Sequence, residues 1–290
     1  MQIDDLNKGI FCITCSLLAN AFVPLLSQWS MESFKPLEVA FLISVLNTVY
    51  CLLWHMKWPF LQSQLVVKRY MKSAIINTLG IICLYYSLSY LDPITYAFIS
   101  VFYVVFTVLI STFVLQEGKT LLEIVAIIVG ILGAFFIANK GSSTWTVSVG
   151  VGLVLLDTLC FAVANFMVKS ASPPLNPVGV LFFNNSTCTL ILMVMLAPGF
   201  ARYSYLNIHP AHILGILAAS ACSFAAVGLV FFSYKLLSFR LSSLMRAMKP
   251  LISTGVALPF APAELSLSNW FGAFLLFISI LVLATKERKG

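Results

Sequence analysis

Three ionisable residues, Asp157, Arg246 and Lys249, stand deep inside long apolar runs of a 290-residue chain. A charge inside a bilayer is costly and usually marks a substrate or ion path. Arg246 and Lys249 are three apart, so they share one helix face. Ser242 and Ser253 extend that face at spacings of 4, 3 and 4. On a helix of about 3.6 residues per turn this is one polar line. Arg grips a carboxylate or phosphate with two parallel hydrogen bonds, while Lys acts more as a point charge. The chemistry expected is capture of an anionic group. Pro250 frees a carbonyl one turn earlier and predicts a kink beside the two cations. Asp157 reads either as a proton-coupling carboxylate or as an ion-pair partner. If it pairs, the cavity sums to −1 + 2 = +1, which suits a monoanion or a zwitterion. The competing reading of Arg246 is snorkelling to headgroups at the inner face.

Composition says what must position these residues. Hydrophobic residues make up 60% of the chain and charged residues only 9%, with a mean hydropathy of +1.00. Soluble domains carry roughly a quarter charged residues, so a soluble or disordered chain is excluded. The apolar runs are continuous, not alternating, which favours helices over a barrel. Spans are expected at about 9–28, 36–56, 73–91, 94–115, 120–138, 147–168, 176–197, 211–233, 241–260 and 268–285. The predicted fold is thus an all-α polytopic membrane protein of ten transmembrane helices. With the N-terminus inside, twelve Lys and Arg face the cytoplasm and three the outside, so both termini are expected to be cytoplasmic. That bias explains the net charge of +7 without nucleic acid. The seven cysteines lie in apolar runs and read as reduced packing residues. The first run shows no cleavage signal and reads as a span, and a bacterial cytoplasmic membrane is expected.

A weak internal repeat runs through the chain. Tyr85-Tyr86-Ser87 and Phe231-Phe232-Ser233 both precede a tight turn, at an offset of 146. Lys140 and Lys286 share that offset, and Glu117 and Glu264 differ by 147. The expected halves are 8–140 and 148–286. Five spans per half is odd, so the halves would be inverted, with a substrate site near the midplane between them. At the same offset, Tyr96, Ser100, Tyr103, Thr107 and Ser111 of span four correspond to Ser242, Arg246, Lys249, Ser253 and Ala257 of span nine. Two equivalent helices would turn polar lines inward, one of them cationic.

In layout and motif order the chain resembles the drug/metabolite transporter superfamily, EamA-type. The residues that carry this are Phe106-Thr107 through Leu115-Gln116-Glu117, the Gly-containing Val129-Gly130-Ile131-Leu132-Gly133, and Lys249-Pro250-Leu251 ahead of Glu264. Val104 stands where the family often has a proline, and Phe41 to Asn47 lacks the arginine often found in span two. The resemblance implies a secondary transporter of small metabolites working by alternating access. Its partners would be a small anionic or zwitterionic substrate, membrane lipids and a coupling proton.

Further candidate contacts are Ser100, Tyr103, Thr107, Asn20, Tyr85 and Asn184, although polar span residues also serve as helix–helix glue. His209 and His212 read as turn residues, and no metal or cofactor is expected. An intramembrane lipid-modifying enzyme would need a nucleophile with a base, a metal set or paired carboxylates, and the chain offers one deep carboxylate. A flippase of the same fold, holding a phosphate headgroup on the basic pair, is the nearer alternative. No filter sequence suggests a channel.

Overall fold

A computed structural model describes residues 3–55, 64–115, 121–138, 148–170, 176–200 and 209–237, with parts of 242–282. The helices are α1 (Ile3–Ser30), α2 (Pro36–His55), α3 (Gln64–Ser87), α4 (Pro93–Ile99), α5 (Phe102–Leu115), α6 (Leu121–Ala138), α7 (Val149–Lys169), α8 (Pro177–Phe200), α9 (Pro210–Leu236) and α10 (Lys249–Ala257). No strand occurs among the described residues. Helices α1, α2, α7, α8 and α9 are long and apolar enough to cross a bilayer. The polarity is that of a membrane protein. Val194 is 74% exposed on the outside, while Asp157 is 0% exposed inside.

Helix starts follow the local chemistry. Asp92 caps α4: its carboxylate accepts from the Thr95 amide at 2.8 Å and from the Thr95 hydroxyl at 2.7 Å, with Pro93 opening the helix. Asn176 accepts from the Val178 amide at 3.0 Å ahead of Pro177. The Lys35 amide donates to Glu38 at 2.9 Å, the return half of a capping box.

Two predicted elements differ from expectation. Span three, expected from 73, begins as helix at Gln64. Its first turns carry Lys68, Arg69 and Lys72, so the helix runs past its apolar stretch, and hydropathy marks only that stretch. Span four is not continuous. Between α4 and α5 the backbone bonds shorten to three residues, from the Val101 amide to Phe98 at 3.2 Å and from the Val104 amide to Val101 at 2.8 Å. The Ser100 hydroxyl bonds back to the Ala97 carbonyl at 2.7 Å. Hydroxyls that bond their own helix bend it, and no proline or glycine lies at this break. The kink expected near Pro250 is there: the Met248 amide bonds Met245 at 3.0 Å, three residues back, and α10 starts at Lys249.

The helices cross where residues are small. The Ser16 hydroxyl of α1 donates to the Ala226 carbonyl of α9 at 2.7 Å, and Ser73 of α3 donates to Ala164 of α7 at 3.2 Å. A Cβ on Gly80 would stand 3.1 Å from the Phe161 ring, so any side chain there would have to displace its neighbours on α7, and glycine favours this close approach. In α6 the Ala126 carbonyl accepts from the Ser279 hydroxyl at 2.6 Å.

Candidate functional site

A cavity of about 160 Å³ lies among these helices. Helix α7 brings Asp157 and Asn165, the chain around the second break brings Arg246 and Lys249, and the first break brings Ser100 and Tyr103. Helices α1, α3 and α8 supply Asn20, Tyr85 and Asn184. These expected residues share one cavity. Ser242, Ser253 and Thr107 are buried too, but they do not line it. The Thr107 hydroxyl is turned to its own helix and donates to the Tyr103 carbonyl at 2.8 Å.

Each cation rests on a tyrosine. The Arg246 guanidinium carbon lies 4.2 Å from the Tyr103 ring centre, and Lys249 Nζ lies 4.9 Å from that of Tyr96. Arg246 also donates to the Tyr234 hydroxyl at 3.4 Å. The Tyr234 and Tyr103 hydroxyls are 3.3 Å apart, and Asn165 donates to Tyr103 at 3.3 Å. Arg246 is thus held within the protein, so the snorkelling alternative is not the geometry seen. Both Asp157 oxygens are buried without a hydrogen-bond partner among the described residues, and their polar neighbours are Tyr96 and Lys249.

Sequence reasoning left out the lining residues Asn47 and Asn77, and it noted Asn165 and Asn185 only as weaker polar positions beside Asp157 and Asn184. The signal was available, because each is an asparagine within an apolar run, where polar side chains usually face the bundle interior. Tyr234 carried no such signal; it lies near the end of α9, and only the fold sets it beside Arg246. Pro24, inside α1, also lines the cavity.

The histidines lie apart from this site. His209 caps α9, as a turn residue should, by accepting from the Ala211 amide at 3.3 Å. His212, expected in a turn, sits instead in the first turn of α9. It meets Glu32 at 3.3 Å and bonds Ser33, pinning the end of α1 to α9. At the opposite end, Lys169 donates to the Tyr234 and Leu237 carbonyls at the end of α9. No group of three metal-ligating side chains occurs among the described residues.

Residues 7–139 match the model of the EamA-like transporter family. Over those residues, a little under half of the chain, the sequence is similar to EamA-like transporters. A solved structure described as "Crystal structure of protein" overlays on this chain with a TM-score of 0.72, over 98% of each chain at 12% identity. That likeness speaks for the fold alone. A search of curated proteins finds no match. The match suggests a membrane transporter, and the long apolar helices agree with an integral membrane protein.

Proposed function

We propose that the chain is a secondary transporter that moves a small anionic or zwitterionic organic metabolite by alternating access, with Arg246 and Lys249 holding the anionic group. The observation that carries this reading is the pair of cations lining one central cavity, each seated on a tyrosine from the broken helix opposite in sequence order. Asp157 lowers the formal charge of the cavity from +2 to +1 and is the candidate coupling group.

An inverted repeat of 8–140 and 148–286 underlies the mechanism. The family match covers the first half. The Ser87 hydroxyl bonds the Leu84 carbonyl at 2.7 Å, and at an offset of 146 the Ser233 hydroxyl bonds Val230 at the same distance. The two helix breaks, at Val101 and Met248, are 147 residues apart. Helix α1 packs on α9, and α3 packs on α7, which is the pairing that exchanging two five-helix halves would give. Ten spans with both termini in the cytoplasm fit this scheme and the Lys and Arg bias. Broken helices around a midplane site are a recurring transporter device.

The test is a thermal-shift screen of the purified chain against small carboxylates, phosphates, amino acids and organic cations. A ligand that binds the folded state raises the melting temperature by mass action. Anions should stabilise the wild type and not Lys249→Ala. Stabilisation of both proteins alike, or by organic cations alone, overturns the assignment of the two cations.

A further inference from the structure

The cavity has two chemically unlike walls. Among the described residues, the charged ones that line it, Asp157, Arg246 and Lys249, come from α7 or from the chain around the second break. Helices α1, α2 and α8 contribute amides and hydroxyls but no charge. On that neutral wall Asn47 Nδ2 is shared between Asn185 Oδ1 and Ser223 Oγ, each at 3.4 Å. The side-chain oxygens of Asn47 and Asn184 are buried and have no partner among the described residues. Buried acceptors are nearly always satisfied, so these two call for donors.

From this we infer that the occupant is a small hydroxylated monoanion of the sugar-acid type, its carboxylate on Arg246 and Lys249 and its hydroxyls on Asn47 and Asn184. This rests on the transporter reading above and narrows it. The charge matches, since +2 from the cations and −1 from Asp157 leave +1 for one carboxylate. A hydroxyl both donates and accepts, as an asparagine amide does, so a hydroxylated chain satisfies the neutral wall at several points. An amino acid fits less well. Its ammonium needs a negative partner, and the carboxylate that lines the cavity stands on the cationic wall beside Lys249. A flat base fits less well too, because cations already cover a face of Tyr96 and of Tyr103.

Calorimetry on the purified full chain tests this with four probes. D-gluconate carries the charge and the hydroxyls, hexanoate the charge alone, myo-inositol the hydroxyls alone, and L-glutamine is a zwitterion. Gluconate should bind at least about tenfold tighter than each of the others, because a site built for hydroxyls rejects analogues that lack them. Asn184→Ala and Asn47→Ala, made singly, should each weaken gluconate several-fold and leave hexanoate unchanged. Lys249→Met should remove both anions. If glutamine binds tightest, or hexanoate equals gluconate, the hydroxylated class is wrong while the anion site stands. If none of the four binds, both readings fall.

Discussion

Arg246 lies on the face of Tyr103, its guanidinium carbon 4.2 Å from the ring centre. The two residues are equivalents neither by type nor by position, yet each comes from one of the two broken helices. A cation over a desolvated ring gains about 2 kcal/mol. The contact therefore orients the guanidinium and spares its remaining donors for a ligand. Tyr103→Leu should weaken anion binding by about tenfold, which is about 1.4 kcal/mol. Tyr103→Phe keeps the ring and loses only the hydroxyl that meets Tyr234 and Asn165, so it should stay close to wild type. Titration calorimetry with one carboxylate separates the two variants.

The charge balance of the cavity predicts a change of preference. Asp157→Asn shifts the sum from 2 − 1 = +1 to +2. Propionate against succinate reports it. Wild type should favour the monoanion, and the variant should shift by about tenfold or more toward the dianion, as expected for one unit charge acting at short range in a partly desolvated site. An unchanged ratio would place Asp157 outside the electrostatics of binding.

Removing a cation should be more costly than removing a ring. Arg246→Gln and Lys249→Met should each reduce carboxylate uptake into proteoliposomes more than about tenfold, as a charged hydrogen-bond partner is worth roughly 1.5–3 kcal/mol. Without ligand, Arg246→Gln should hold or raise the melting temperature, since no carboxylate among the described residues pairs with that buried charge, whereas Lys249→Met leaves buried Asp157 without its neighbouring cation and should melt lower while still folding. Loss of uptake together with loss of fold would point to a structural role.

Two glycines should respond oppositely. A Cβ on Gly80 meets Phe161 and Cys160 at 3.1–3.2 Å, so Gly80→Ala pushes α3 from α7 and should cost about 1–3 kcal/mol. Gly152 lies on α7 with nothing within 4 Å of its added Cβ. Gly152→Ala should be neutral or stabilising by about 0.5–1 kcal/mol, because glycine is a poor helix former. Thermal unfolding of the two variants in detergent compares them directly.

Much of this protein was legible from its residues. Hydropathy alone dictates helices that turn their apolar faces outward, because in lipid every backbone group must be bonded within its own segment. Pairs such as Lys35-Pro36, Asp92-Pro93 and His209-Pro210 mark helix starts, since capping is local and needs no distant partner. Pro250 announces the second break for the same reason. The first break had no such mark, as it arises from backbone bonds tightening around Ser100 inside an otherwise uniform helix. The cations could be read as a site because charge in an apolar run stands out. What the sequence could not assign was direction. Ser242 and Ser253 share the polar line with Arg246, and Thr107 shares that of Tyr103, yet none of the three lines the cavity, while Asn47 and Asn77, from helices with no such line, do. Helical spacing fixes which residues share a face. Only the packing of helices far apart in sequence decides what that face meets, and so brings Tyr103 beneath Arg246.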